Sequence, residues 1–455
     1  MEDFTKGKIP RHLIRSSMPI AIGMLAQTLY HLVDLYFVGQ LGEKHLAGTS
    51  TAGSIVMISI ALTQVLSIGT STLISHSFGA KNISHCNDVF NQSLMLSFIA
   101  SFIVLLTGYL TCNTYLTFIA ADRYVVEFGK EYIYWFLPSI LFQFYNASVG
   151  GAMRSVGMFH TLALISTATV IMNALLSPLL INGVLTGSPL GVAGAGLATT
   201  VSVALGALMT TLVFIRNNQH FSIIPVKWIP MKSIIVRIFS IGIPAGLELA
   251  FLIINMAIIY WVIQRFGSSS QAAFGLGSKI LQAIFLPSLA ISYAAFCLTT
   301  QNYGAKDYLR VVSTFWFALL FNCLVMASLT LICYSAPSFF TSLFSNEVDV
   351  IDISIIFLKI NSLCFIAYGV IYLCSSFFQA LGNTWPSLLS KCLASAILFL
   401  SVIYFDKTSS VTIDNIWQIQ VLVCFIQAIF SFFLLKREIK IRMGRRLTIF
   451  RPATA

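Results

Sequence analysis

LMLSFIASFIVLLTGYL, residues 94–110, runs for seventeen residues without a charge. A transmembrane β-strand would alternate polar and apolar positions over about ten residues. This run is continuously apolar and approaches the roughly twenty residues that a helix needs to cross a hydrocarbon core. Runs of the same kind recur along the whole chain of 455 residues, of which 57% are hydrophobic and 9% charged, against roughly 25% charged in an ordinary soluble domain. Twelve spans are expected, over about 16–40, 50–76, 90–111, 131–152, 160–184, 190–215, 237–262, 272–300, 310–335, 355–380, 386–404 and 414–436. The fold class is therefore an all-α integral membrane protein with twelve transmembrane helices.

The charges follow the spans. With both termini in the cytoplasm, the inside segments hold twenty Lys and Arg, Lys391 among them, while the outside loops hold five together with nine acids. This positive-inside bias predicts a multi-pass protein of the cell (inner) membrane with both termini cytoplasmic. The net charge of +11 thus reads as a topology signal beside anionic lipid. The basic tail KREIKIRMGRR, residues 436–446, belongs to that signal rather than to a nucleic-acid surface. The start MEDFTKGKIPRHLIRSSMPI leads directly into a span and lacks the pattern of a cleavable signal peptide. Nine cysteines, with no C-x-x-C and no His/Cys ligand spacing, are read as small packing residues.

An internal repeat divides the chain. The interval from Pro19 to Pro244 is the same as that from Gly42 to Gly267, from Gly79 of FGAKN to Gly304 of YGAKD, and from Gly157 to Gly382. Each copy holds six expected helices, an even number, so the copies run in the same sense across the membrane as a parallel repeat. The resulting domains are an N-lobe over 1–215, a cytoplasmic linker over 216–236 and a C-lobe over 237–455. Pro225 and Pro230 discourage continuous helix in the linker. Two six-helix lobes enclosing a cavity that opens alternately to each side are expected.

Four ionisable residues other than histidine fall clearly within the expected spans, away from their ends: Asp34, Glu248, Lys279 and Lys359. An aspartate at a helix centre costs about 2.5–3.5 kcal/mol on insertion scales, so such a group faces a cavity or a partner. At the repeat offset Asp34 corresponds to Ile259, so the duplicated scaffold does not need the carboxylate. Gln27, Tyr30 and His31 precede it by seven, four and three residues and share one helical face with it. Tyr30 and Gln27 can donate hydrogen bonds to the carboxylate, and His31 is a candidate proton relay. Burial favours the neutral form of a carboxylic acid, which lets such a group exchange a proton near neutral pH. Glu248 and Lys279 are second-lobe candidates, a structural ion pair being one reading of them.

These residues resemble the multidrug and toxic compound extrusion (MATE) family. The resemblance rests on MPIAIGMLAQTLYHLVDLYFVGQLGEKHLAGTS, SFGAKN, GAMRSVGMFHTLALISTATVIMNALLSPLLINGV with LGVAGAGLATTVS, and GIPAGLE, AAFGLGSKI and QNYGAKD in the second half. It extends to the DinF-like branch, which carries an aspartate in the first helix. In that branch the resemblance implies a network around the aspartate, at positions held here by Pro19, Gln27, Tyr30, Asn173 and Thr199, with Asn146 a further match for substrate contact. Two departures stand out. Ser177 occupies a position where the branch often has an acid, leaving Asp34 as the first-lobe carboxylate. Sodium-coupled members carry a seventh-helix glutamate eight residues after the proline, where this chain has Leu252, with Glu248 one turn earlier.

The resemblance implies a monomeric antiporter that exports amphipathic, often cationic drugs and toxic compounds, with the proton as coupling ion, sodium as the alternative, and no other cofactor. A lipid-linked oligosaccharide flippase of the same superfamily would need several basic side chains in its cavity to hold pyrophosphate. An enzyme would need a nucleophile with a base, or a metal cluster. No H-E-x-x-H, G-x-S-x-G or paired-carboxylate motif is present.

Overall fold

A computed structural model describes residues 3–119, 122–184, 186–217, 222–342, 347–406 and 412–444. The regular structure of these residues is helical throughout, with fifteen α-helices. In the first half they are α1 (Ile9–Gly39), α2 (Glu43–Gly79), α3 (Ile83–Ile119), α4 (Arg123–Phe136), α5 (Ser139–Ser155), α6 (Phe159–Ile181) and α7 (Gly191–Asn217). In the second half they are α8 (Lys232–Ile263), α9 (Ser268–Gly304), α10 (Tyr308–Ser335), the short α11 (Pro337–Ser342), α12 (Val348–Ser362), α13 (Phe365–Ala380), α14 (Trp385–Asp406) and α15 (Ile413–Met443). Among the described residues nine helices are long and apolar enough to cross a membrane, and ten if α12 and α13, bent by 57° at their junction, form one span. The protein is thus a multi-pass membrane protein. The two remaining expected spans are α1, part of whose side chains lie outside the described residues, and the pair α4 and α5, each short by itself.

The break between α4 and α5 has a local cause. Pro138 has no N–H to give to the carbonyl of Tyr134, and the ladder ends there. The freed carbonyls are bonded by side chains instead: Tyr109 Oη donates to Tyr134 O at 2.9 Å, and Thr200 Oγ1 to Trp135 O at 2.5 Å. At the second break, between α12 and α13, Thr330 Oγ1 donates to Ser362 O at 3.0 Å. Inside a bilayer such replacement is obligatory, because no bulk water is there to bond an exposed carbonyl.

The repeat is visible in the backbone. Helices α2 and α9 are both 37 residues long, and both their first and their last residues are equivalent at the repeat offset. Lys81 and Lys306, the non-glycine residues with positive φ among the described ones, have φ of 59° and 60° at equivalent positions. Gly42 and Gly267 (117° and 94°) and Gly157 and Gly382 (77° and 73°) form further equivalent pairs in the left-handed region. After the two lysines, the next residues cap α3 and α10 alike, Asn82 Oδ1 accepting from His85 N and Asp307 Oδ1 from Arg310 N.

Packing divides the chain into two compact units, 1–3 with 22–242 and 4–21 with 243–455. In the first unit α2 packs on α3, α4 and α5, and α7 on α4, α5 and α6. The expected linker joins it: one turn of 3-10 helix, Pro225–Trp228, is held to α3 by the Asp88–Lys227 ion pair at 2.6 Å and by Gln92 Nε2 bonding Lys227 O and Ile229 O. In the second unit α9 packs on α10, α12 and α13, and α15 on α12, α13 and α14. The segment before α1 belongs here because Phe4 is fully buried, its N–H donating to Gln301 Oε1 at 3.1 Å and its carbonyl accepting from Arg310 Nε at 3.0 Å. The tail that the sequence reads as basic cytoplasmic chain continues α15 to Met443, with Glu438 bonded by Arg442 and by Asn383 Nδ2. Arg445, Arg446 and Arg451 lie outside the described residues.

The second unit's core is aromatic. Phe274, Phe357 and Trp417 pack edge to face and stacked, with ring centroids 4.8–5.8 Å apart. A Cβ on Gly277 would run into the Phe357 ring. Gly277→Val is expected to cost about 1–3 kcal/mol by overpacking and to lower the thermal midpoint of the detergent-solubilised protein; Phe357→Leu in the same chain is expected to recover part of that loss.

Candidate functional site

Asp34 lies on α1, five residues before its end, and its carboxylate reaches across to α4. The Tyr132 hydroxyl, on a side chain only 6% exposed, donates to Asp34 Oδ2 at 3.3 Å. Asp34 Oδ1 is buried and bonded to no described group. Tyr132 is held in turn by the close approach of α4 to α7, where a Cβ on Gly196 would lie 2.5 Å from Tyr132 O. Thr200, one turn further along α7, bonds the last carbonyls of α4. Tyr132 was not among the residues singled out from sequence.

Helices α6 and α7 form an antiparallel pair whose register is fixed by two close contacts. Gly194 abuts Leu180 and Ile181, and Gly206 abuts Thr169. Asn173 then stands at the height of Ser202, and Ser177 at that of Ala198 and Thr199. Asn173, Ser177 and Ser202 are fully buried and Thr199 is 3% exposed. None of their side-chain polar atoms finds a partner among the described residues: Asn173 Oδ1 and Nδ2, Ser177 Oγ, Thr199 Oγ1 and Ser202 Oγ are all bare. Asn146, on α5, has a bare Oδ1 as well, its Nδ2 making a long contact of 3.5 Å with Val203 O. The structure therefore concentrates unbonded polar atoms on two facing stretches of α6 and α7. Ser202 joins the residues expected from sequence, its signal being its place one turn after Thr199.

Gln27 is exposed and makes no hydrogen bond to another described residue, so it does not bond Asp34 in this conformation. The side chains of Tyr30 and His31 lie outside the described residues. Pro19 is buried within α1, in the part of that helix that packs with the second unit.

Of the second-unit candidates, Lys279 and Lys359 both have exposed side chains, on α9 and α12. Glu248 is not paired with Lys279. Ser375 Oγ donates to Glu248 Oε2 at 2.9 Å, Ser387 lies beside the carboxylate, and the facing charge is that of Lys391. Lys391, expected in a cytoplasmic segment, sits half-buried on α14, which begins at Trp385. No group of three or more His, Cys, Asp or Glu among the described residues is placed to hold a metal ion.

A family profile described as MatE matches residues 19–179 and again 244–405, two matches that start on the equivalent prolines of the repeat. The probable multidrug resistance protein YoeA of Bacillus subtilis (strain 168) is 22% identical over 396 residues, covering 85% of this chain and 84% of that protein. The multidrug export protein MepA of Staphylococcus aureus (strain MSSA476) is 23% identical over 423 residues, covering 89% and 90%. Among solved structures, a MOP superfamily transporter from Pyrococcus furiosus superposes with a TM-score of 0.90 at 23% identity, covering 96% of this chain and 98% of that one.

The Asp34–Tyr132 bond can be measured by a double-mutant cycle on stability. Tyr132→Phe, Asp34→Asn and the pair together are expected to be non-additive by about 0.5–3 kcal/mol, the range for groups in contact, read from chemical or thermal unfolding in detergent. Additive losses would show that the two groups do not interact.

Proposed function

The chain belongs to the MatE family, and we propose that it is a proton-coupled antiporter that exports amphipathic, often cationic drugs and toxic compounds from the cytoplasm by alternating access. The proposal counts α1 and the broken pair α4 and α5 as spans, which brings the total to twelve in two six-helix lobes. It puts the protein in the cell membrane as a monomer with both termini cytoplasmic. MatE proteins are transporters rather than enzymes, and the curated relatives YoeA and MepA carry the names of multidrug resistance and export proteins, which supports drugs as the cargo.

The observation that carries the reading is that the first unit holds a buried carboxylate oxygen without a partner on α1 and, on α6 and α7, polar side chains without partners. Asp34 Oδ1, Asn173, Ser177 and Thr199 offer acceptors and donors that the fold itself leaves unused. A bare polar atom away from water costs on the order of 1–3 kcal/mol, so such a group is retained where something else binds. In the inward-open state the charged Asp34 and these groups receive the substrate. On the outside a proton neutralises Asp34, and a neutral carboxyl can donate where the carboxylate only accepted. The bond from Tyr132 to Asp34 then rearranges, the substrate loses its counter-charge, and it leaves. Tyr30, Gln27 and His31, on the same helix, are assigned to this network or to proton relay in other conformations.

The energy is sufficient. A proton entering down about 100 mV supplies about 2.3 kcal/mol, and one pH unit adds about 1.4 kcal/mol. Together these sustain a roughly five-hundredfold gradient of an uncharged substrate.

The test is drug-dependent proton movement in proteoliposomes, with and without sodium. Wild type is expected to couple drug efflux to proton entry in sodium-free buffer, and Asp34→Asn to lose at least tenfold of the coupled rate. Wild-type transport by the Asn variant under a pH gradient overturns the site; transport that requires sodium replaces the proton by that ion; flux of a lipid-linked sugar without drug transport replaces export by lipid flipping.

A further inference from the structure

The segment SIIPVKWIPM, residues 222–231, leads into α8 and is bonded by one face of α3. Asn87 Oδ1 accepts from Ser222 N at 2.8 Å, and Asn91 accepts from Ile224 N at 2.8 Å and donates to Ser222 O at 2.9 Å. Gln92 donates to Lys227 O and Ile229 O, at 2.7 and 2.8 Å, and accepts from Met231 N at 2.8 Å. Asp88 pairs with Lys227, and the Trp228 ring centroid lies 5.5 Å from that of Phe98. Asn91 and Gln92 are fully buried. Six main-chain groups of the segment are thus satisfied by three side chains of one helix face, much as a sheet edge satisfies an added strand.

The start of α8, up to residue 242, belongs to the first unit as well. Two glycines set its spacing from α2: a Cβ on Gly69 would lie 2.5 Å from Ile238 O, and one on Gly242 would lie 2.0 Å from Val65 O. Helix backbones in a membrane approach this closely where small residues stand at the contact. The first copy does the reverse, its residues 4–21 packing with the second unit. Phe4 corresponds to Ile229 at the repeat offset, and both carbonyls are bonded by side chains of the unit they join: Ile229 O by Gln92, and Phe4 O by Asn302 and Arg310. The bonding residues themselves are not repeated. Asn91 and Gln92 have Trp316 and Phe317 at their equivalent positions, and Asn302 and Arg310 have Ser77 and His85. Both copies keep the exchange, by different chemistry, so the exchange is the common feature and the particular side chains are not.

We propose that this exchange, and not the peptide connection at residues 218–221, joins the two halves of the chain. The face of α3 made by Asn87, Asp88, Asn91 and Gln92 is a docking surface for the segment that leads the second half, and it holds that segment once the connection is cut. Bonds from side-chain amides to main chain carry affinity and are indifferent to most docked side chains. Specificity falls to Lys227 against Asp88 and to Trp228 against Phe98. The connection itself only raises the local concentration of the segment near α3.

The experiment is cutting of the purified full-length protein in detergent at a protease site inserted after Asn217, followed by capture through a tag on the C-terminal fragment; a denaturing gel then shows how much of the N-terminal fragment is retained. The fragments of the otherwise wild-type chain are expected in equal amounts, with a thermal midpoint within about 3 °C of the uncut protein. Asn91→Ala/Gln92→Ala is expected to lose about half or more of the N-terminal fragment on cutting, because the main-chain groups they bond are left without partners. Asp88→Lys is expected to lower retention and Lys227→Asp in the same chain to restore it, which a general loss of folding would not do. Departure of the N-terminal fragment from the cut wild-type chain overturns the proposal, since the connection then joins the halves. So does equal retention by the cut wild-type and Asn91→Ala/Gln92→Ala chains, since the segment then adds nothing. Where that variant does not fold uncut, failure of Lys227→Asp to restore the Asp88→Lys loss decides in the same sense.

Discussion

A polar atom in hydrocarbon must be bonded by protein, water or ligand, because nothing else there can compensate its lost hydration. The fold obeys this constraint where the backbone is at stake. Carbonyls freed at the Pro138 break are taken by Tyr109 and Thr200, and the one at the Ser362 break by Thr330. Serines along the helices return their hydroxyls to the preceding turn, as Ser59 does to Ile55 O and Ser77 to Leu73 O. Side-chain atoms follow it less strictly: Asn173, Ser177, Thr199 and Ser202 on α6 and α7 are bare, and so are Ser288, Ser292 and Thr299 on α9.

The duplication supplies an internal control. Turn residues, helix lengths and caps are repeated at one offset, down to the left-handed lysines at 81 and 306. The interior charges are not repeated: Asp34 has an isoleucine at its equivalent position, and Glu248 a glycine. What the two copies share therefore builds the scaffold, and what they do not share is free to serve chemistry. The first unit carries its carboxylate against the hydroxyl of Tyr132, and the second carries its own against that of Ser375. One scaffold thus holds two acids, each on one copy alone.

The helices and the repeat were legible because their signals are periodic and redundant: long apolar runs, and Gly and Pro at a fixed spacing. Asp34 was legible because a lone carboxylate in an apolar run is costly. Tyr132 was not, since in EYIYWF it is one of several aromatics and only the approach of α4 to α1 picks it out. Lys391 was read as a cytoplasmic charge because it lies a few residues from a span boundary, where one turn decides between water and protein interior. Lys279 and Lys359 lie in apolar helices with exposed side chains, an orientation that their place in the sequence did not indicate. Sequence fixes depth along a helix better than rotation about it, and rotation decides which groups meet.

The same distinction bears on how a charge change at Asp34 can have consequences beyond its own surroundings. Asp34 and Pro19 are on one continuous helix, yet residues 4–21 pack with the second unit and those from 22 onward with the first. Pro19 lies just before that changeover and lacks the N–H that would bond the carbonyl of Arg15, so the helix ladder is weakest where its packing partner changes. The end of this segment is fastened, with Phe4 buried and bonded by Gln301, Asn302 and Arg310. A helix anchored at its start and interrupted at Pro19 carries Asp34 on the far side of that interruption. In the coupling scheme proposed above, Pro19 is therefore the place on α1 where a change in bonding at Asp34 is taken up, without a separate relay of contacts.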